Sequence, residues 1–251
     1  MQKLSVVIIC KNNADVISNT LASFNGLTDD IVVYDNGSTD QTQELIKQTD
    51  ARLIEGAWEG FGKTKNKANA LAKYDWVLSL DADEAIDEQL KKNLLLLKLE
   101  DSNKVYELRF KNFLGDKWIR FGDWRNDRHV RLFNRELIFW NSDEVHESLV
   151  MPADSDIVTV HGQVLHKTAA SVNHFEIKMR NYAKLSADKY FHNEKKSGTL
   201  KMYFAATFSF VKNYFFKLGF LDGRAGFDCT RIISLYTFLK YKELNELNRK
   251  K

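Results

Sequence analysis

Asp81 and Asp83 stand two residues apart at the end of the run Trp76-Val77-Leu78-Ser79-Leu80, and Glu84 follows directly. Two carboxylates at this spacing offer hard oxygen donors to a divalent cation. Mg²⁺ or Mn²⁺ held this way shares its remaining positions with a substrate's phosphates. The apolar run before them has no helical polarity pattern and reads as a strand buried on both faces. In open α/β sheets, ligands bind outside the carboxyl ends of such strands. Acidic residues also cap helices, so the D-x-D alone leaves both roles open. Three other groups could do chemistry. The cluster Asp143-Glu144-Val145-His146-Glu147 supplies carboxylates able to take a proton from a hydroxyl, or a surface acidic turn. Lys63, Lys65 and Lys67 open a helix behind the loop Gly56–Gly62, where cations and a helix N-terminus suit a diphosphate, or form a solvated basic face. Trp124, Arg125, Arg128 and Arg131 interleave aromatic and guanidinium groups, which suits sugar stacking and phosphate pairing or an Arg-rich strand face.

The elements that must position these residues alternate. Leu4–Cys10 and Ile31–Tyr34 read as buried strands, Arg52–Ile54 as a short third and Trp76–Leu80 as a fourth. Helices fall between them: one through Val16, Ile17, Leu21 and Phe24, one through Leu45 and Ile46, and one over Lys63–Lys73. The turn Asn36-Gly37-Ser38-Thr39-Asp40 carries ready N-cap residues, and Asp40 suits a capping or dipole role. Strand–helix alternation of this kind predicts right-handed βαβ units and a mostly parallel sheet. Beyond Glu84 the pattern changes to a leucine-rich helix over Gln89–Leu99 and an alternating strand over Val105–Phe113. Mixed strand and loop follow over Trp118–Trp140, then a strand over Val158–His166. From Val172 the chain reads as helices with a break near Lys195-Lys196-Ser197-Gly198.

The chain has 251 residues, 44% of them hydrophobic, enough for a sizeable core and inconsistent with disorder. Its net charge is +3, and the donor-like half is not basic, which disfavours a nucleic-acid binder. Residues 201–242 hold seven Lys/Arg against Asp222 and Asp228, a net of +5 that leaves about −2 for the rest. Cys10 and Cys229 are too few for a disulfide framework and read as reduced, cytosolic thiols. The N-terminus lacks the long apolar region of a signal peptide, and no stretch is long enough to predict a spanning helix.

Three ordered elements, Ser5-Val6-Val7-Ile8-Ile9-Cys10-Lys11-Asn12, Asp35-Asn36-Gly37-Ser38-Thr39-Asp40 and Leu80-Asp81-Ala82-Asp83, resemble the family 2 glycosyltransferases of the GT-A fold. With Trp58-Glu59-Gly60-Phe61-Gly62, Val145-His146-Glu147 and Gly219-Phe220-Leu221-Asp222-Gly223, the chain looks like a narrower branch. That branch is the lipopolysaccharide core enzymes related to β-1,4-glucosyltransferases. The resemblance implies an α/β chain with a GT-A (nucleotide-diphospho-sugar transferase), Rossmann-like, mostly parallel sheet over residues 1–195. A helical, membrane-associated appendage over 196–251 follows. It implies a UDP-sugar donor met by Lys11, Asn12, Asp35, Lys65 and Asp81, with Lys65 standing where the family often has arginine. The divalent cation, Mg²⁺ or Mn²⁺, would be bound mainly by Asp83, with Asp81 nearer the sugar or ribose. A downstream histidine completes the set; His166 matches best and His161 is its rival. The implied base is Glu147, with Asp143 and Glu144 still open, and the implied acceptor residues are Trp124, Arg128, Arg131 and His146.

Phe204, Phe208, Val211, Phe215 and Leu218 form a helical stripe, with Tyr203, Phe210, Tyr214, Phe216 and Phe220 beside it. With the local charge, it reads as a helix lying on an anionic bilayer; a helix packed on its own core or on a second copy is the other reading. The whole pattern predicts an inverting transferase moving a hexose, glucose from UDP-glucose, onto a lipopolysaccharide core or related glycolipid at the cytoplasmic face of the inner membrane. Two rivals stand beside it. One is a transferase using another nucleotide sugar for capsule or exopolysaccharide. The other is a nucleotide-sugar-binding membrane protein without catalysis. A scaffolding protein explains the tail but not the ordered carboxylates. The sequence leaves oligomeric state undetermined.

Overall fold

The computed structural model describes residues 1–141 and 148–250. Its strands are β1 (Ser5–Cys10), β2 (Ile31–Asp35), β3 (Arg52–Glu55), β4 (Trp76–Asp81), β5 (Glu84–Ile86), β6 (Lys104–Leu114), β7 (Lys117–Trp118), β8 (Arg128–Asn134), β9 (Phe139–Trp140), β10 (Leu149–Val150) and β11 (Asp156–Ala169). Its α-helices are α1 (Ile17–Ser23), α2 (Thr42–Lys47), α3 (Phe61–Ala70), α4 (Glu88–Leu96), α5 (Val172–His192), α6 (Thr199–Val211) and α7 (Gly223–Lys250). The sheet order is β3-β2-β1-β4-β8-β6-β11-β5, with β7 on β6, and β9 pairs with β10 separately. Pairings within β3-β2-β1-β4 are parallel, while β4–β8, β8–β6 and β11–β5 are antiparallel. This is the GT-A arrangement of a Rossmann-like parallel half with an antiparallel extension.

Strands β1, β2 and β4 are mostly apolar because both faces of the sheet are covered there, while β3 at the edge is only partly buried. Along β1, Val6, Ile8 and Cys10 join the cluster packed by Ile17, Leu21 and Phe24 of the α1 segment, Ile46 of α2, and Leu90 and Leu94 of α4. Val7 and Ile9 point to the other cluster, with Ala68 of α3 and Phe61. The chain divides into two compact units, residues 1–110 with 128–166, and residues 111–127 with 167–251. The resemblance places the domain boundary at residue 195, with α5 on the side of the sheet. Instead, α5 packs on α7: Ser186 Oγ lies 3.0 Å from Tyr236 Oη, and Arg231 reaches Glu176 at 3.1 Å. Two long amphipathic helices meeting in this way share one core, which segment order alone does not reveal.

Two local expectations change. The strand β5 directly after the D-x-D turn is only three residues long, too short for a periodicity signal. The aromatic stripe is not one continuous helix. Residues Lys212–Phe216 form a π-helix after α6, and Leu218 takes φ +60° before a short 3₁₀ turn. A π segment shifts the helical phase, so the spacing through Leu218 does not lie on one straight face.

Gly162 shows how closely the extension is packed. Its φ is +113°, and a Cβ there would stand 2.3 Å from the Leu90 backbone nitrogen, where α4 begins. Both strain and overlap act against any side chain. Gly162→Ala is expected to lower stability by about 1–3 kcal/mol in urea denaturation; an unchanged midpoint would contradict the close approach.

Candidate active site

The parallel register brings three sequence elements to one end of the sheet. Cys10 pairs with Asp35 and Ile9 with Asp81, so β2 and β4 deliver their terminal carboxylates on either side of β1. The chain returns from β3 to the opposite side of β1 to form β4, which makes this edge a topological switch point. Asp35 is fully buried. Its Oδ2 accepts from the Gly37 and Ser38 amides at 3.1 and 2.9 Å and from Gln43 Nε2 at 2.8 Å, while the Ser38 hydroxyl and the Cys10 thiol donate to Oδ1. Burial works to raise its pKa, but these hydrogen bonds outweigh it and hold Asp35 below the usual carboxylate value. Asn12, at φ +55°, ties the loop after β1 to the same turn. Its amide donates to Ser38 Oγ at 2.9 Å, and its Oδ1 accepts from the Thr39 amide at 2.8 Å. Lys11 is exposed beside it. Asp40, one residue before the Gln41 N-cap of α2, accepts from the Thr42 amide at 3.1 Å.

At the end of β4 four charged side chains interlock. Lys65 Nζ, on α3 and buried, lies 3.0 Å from Asp81 Oδ1. Arg131 of β8 places Nη2 3.6 Å from Asp81 Oδ2 and 2.8 Å from Glu84 Oε1. Glu84 is only 1% exposed, and its Oε2 accepts from the Asp81 amide at 2.9 Å. Desolvation works to raise the Asp81 pKa, yet Lys65 and Arg131 overcome it and hold Asp81 well below the ordinary range. At Glu84 burial prevails over Arg131 and pushes the carboxyl up. The Trp140 ring packs against both cations, 4.6 Å from Lys65 Nζ and 5.9 Å from the Arg131 guanidinium carbon. The sequence reading set Arg131 on an acceptor floor; the structure turns it inward to the carboxylates.

Asp83, in the two-residue turn between β4 and β5, faces His166 of β11, with Oδ2 to Nε2 at 3.5 Å. Antiparallel pairing of His166 with Glu84 makes that meeting possible. His161, the rival, is exposed, and its carbonyl accepts from Asn93 at 2.7 Å. Among the described residues no three carboxylate, histidine or cysteine side chains converge as a ready metal cage. The Asp83–His166 pair nonetheless fits Mn²⁺ or Mg²⁺, which takes few protein ligands and fills the rest from water and phosphate oxygens. Asp81 is engaged by two cations.

The base candidates Asp143, Glu144 and Glu147, and His146 with them, lie outside the described residues. The residues on either side are held firmly. Asn66 of α3 donates from Nδ2 to the Trp140 carbonyl and accepts the Trp140 amide at Oδ1, both at 2.8 Å. The Asn141 amide donates to the Ser148 carbonyl at 2.9 Å, closing the chain there. Gly62 leaves no room for a side chain: a Cβ would stand 1.7 Å from the Asn141 carbonyl. Arg128 is exposed, 3.5 Å from Glu107. Trp124 belongs to the second unit and packs against Phe175 with ring centroids 5.2 Å apart. Sequence reasoning overlooked Asn66, Trp140 and the linking role of Glu84. Only Glu84, adjoining the D-x-D, carried a local signal.

The fold is that of the GT-A glycosyltransferases. The chain belongs to glycosyl transferase family 2, whose model matches residues 5–156. An uncharacterized glycosyltransferase of Rickettsia typhi is 28% identical across 100% of this chain and 89% of its own. The lipopolysaccharide core biosynthesis glycosyltransferase LpsC of Rhizobium meliloti is 27% identical over 94% of this chain and 89% of its own. Among solved structures, S. aureus TarS 1–349 in complex with UDP is 15% identical over 99% of this chain and 92% of that one, with a TM-score of 0.49.

Asp35 gives a direct test of the turn. A carboxylate whose folded pKa is depressed adds stability above its unfolded value near 3.9, and loses it as pH falls through the folded value. Asp35→Asn is expected to be less stable than wild type by about 1–3 kcal/mol at neutral pH. The gap should be constant above about pH 5 and begin to narrow below about pH 4 in urea titrations run from pH 2 to 7; a gap independent of pH would contradict the assignment.

Proposed function

We propose that this protein is an inverting, metal-dependent hexosyltransferase that moves glucose from UDP-glucose onto a lipopolysaccharide core sugar or related glycolipid. The meeting of Asp83 and His166, beside Asp81 and Lys65 at the sheet's switch point, is the observation that carries it. Similarity to a lipopolysaccharide core glycosyltransferase over 94% of the chain supports the acceptor class. Lys11, Asn12 and the turn organised by Asp35 bind the nucleoside, and the α3 N-terminus takes the diphosphate, with Lys65 acting on the donor through its pair with Asp81. Asp83 and His166 would hold the cation, which would offset the charge of the departing diphosphate. Glu147 takes the proton of the acceptor hydroxyl as its oxygen attacks the anomeric carbon. The C–O bond to the diphosphate breaks on the opposite face, and the configuration inverts. Asp143 and Glu144 remain alternatives for the base. Arg128, Trp124 and His146 stay the proposed acceptor contacts.

The second unit supports an attachment to the cytoplasmic face of an anionic inner membrane. Met202 and Ala206 form the buried side of α6, and its aromatic side faces out: Phe204 is 70% exposed and Phe216, in the following π segment, 75%. Lys201, Lys212 and Arg224 are exposed on the same stretch of chain. Among the described residues no helix is long and apolar enough to cross a membrane. An amphipathic surface of this composition lies in the headgroup boundary.

A panel of nucleotide sugars with and without Mn²⁺, using detergent-solubilised core lipid as acceptor, tests the reaction. Metal-dependent UDP release from UDP-glucose is expected, with Glu147→Ala reducing kcat by about 10²–10⁴-fold while UDP still binds. Asp83→Ala should remove the metal dependence together with activity. Release from a different donor would reassign the sugar, and no binding of any nucleotide sugar would end the proposal. Sedimentation with phosphatidylglycerol vesicles tests the surface. Phe204→Glu combined with Phe216→Glu should cut binding at least about tenfold, since each buried aromatic contributes about 1.5–3 kcal/mol; undiminished binding would remove the aromatic face from the contact.

A further inference from the structure

We infer that Glu84 is a positioning residue that aligns the cation-binding pair, acting as one unit with Arg131; the inference rests on the metal-dependent reading above. Both oxygens of Glu84 are committed. One takes the Arg131 guanidinium at 2.8 Å, and the other takes the amide of Asp81 at 2.9 Å. The second bond spans the two-residue turn and fixes the backbone on both sides of Asp83. On the same residue, antiparallel pairing sets the register of His166. Glu84 is therefore joined to both sides of the pair, by a side-chain bond on one and by the sheet on the other. The turn is steadied further by Thr20 Oγ1, which donates to the Ala82 carbonyl at 2.8 Å, and by Ser23 Oγ, which accepts the Ile86 amide at 3.1 Å.

Arg131 closes the unit from β8. Its guanidinium lies 5.4 Å from the Phe110 ring and 5.9 Å from that of Trp140, which confines it while it bridges Glu84 and Asp81. An ion pair buried to this degree adds little stability over apolar residues of the same shape, so conformational definition is what it contributes. Hydrogen-bond partners of metal ligands typically change metal affinity by about 10- to 100-fold when removed. Glu84 stands one step further out, bonded to the backbone of the turn that carries Asp83.

The test measures Mn²⁺ binding by electron paramagnetic resonance of the free ion, in the presence of UDP and without turnover. Wild type, Glu84→Gln, Arg131→Lys and the double variant Glu84→Gln/Arg131→Gln are compared, with circular dichroism melts for each. Glu84→Gln is expected to weaken Mn²⁺ about tenfold or more, with UDP binding in EDTA within about twofold of wild type. In the transferase assay its KM for Mn²⁺ should rise more than its kcat falls. The double variant, which removes both members of the Glu84–Arg131 pair, should fold and still bind Mn²⁺ as weakly as Glu84→Gln, because members of one unit are non-additive. Arg131→Lys keeps the charge and should fall between. Wild-type Mn²⁺ affinity in Glu84→Gln, or in the double variant should the single one not fold, overturns the positioning role alone. Absence of Mn²⁺ binding in wild type overturns the metal-dependent function as well.

Discussion

The carboxylate of Asp81 is held between two cations, Lys65 from α3 and Arg131 from β8, and much of the site's order follows from that arrangement. Charges taken from water at the end of a strand are costly unless each finds a partner in good geometry. Here each does: Asp81 has Lys65 and Arg131, and Glu84 has Arg131 and the Asp81 amide. The partners come from elements far apart in sequence, so the network forms only when the parallel half and the antiparallel extension are both in register. It also fixes the direction in which Asp83 leaves the sheet. Trp140, packed against both cations and bonded through its backbone to Asn66, extends the same order to the start of the acidic segment.

The two terminal carboxylates of the parallel strands have different environments and different work. Asp35 is surrounded by neutral donors, two amides, a hydroxyl, an amide side chain and a thiol, and is committed to shaping the turn after β2. Asp81 is surrounded by full positive charges. Both are kept ionised, one by hydrogen bonds and the other by Coulomb attraction. Asp83, one turn further along, is left facing the imidazole of His166. Graded polarity along one sheet edge, from neutral donors to cations to a donor pair, suits a ligand that is itself a base, a diphosphate and a sugar in series.

The second unit follows a different physical rule. Helices α5 and α7 bury Ala183 and Ala187 on one and Cys229 and Ile232 on the other, and of the α6 aromatics Tyr203 and Phe210 pack on α7 while Phe204 and Phe208 stay exposed. The buried side of α6 is made by Met202 and Ala206, leaving these two phenylalanines outside. Large apolar side chains rimmed by lysine and arginine are a surface in search of a second phase or partner.

The sequence by itself determined the α/β alternation, the parallel strands that carry it and the D-x-D at a strand end, because apolar β-branched runs and N-cap turns are local signals. Family 2 membership was legible from three motifs in order. Only the tertiary structure decided that Arg131 faces Asp81 and Glu84, that Asn66 clamps Trp140, that α5 belongs with α7, and that the aromatic stripe breaks at a π segment. Those outcomes depend on sheet order and on contacts across tens of residues. A guanidinium in a strand carries the same local pattern whether it meets a carboxylate or water, and only the fold supplies the partner.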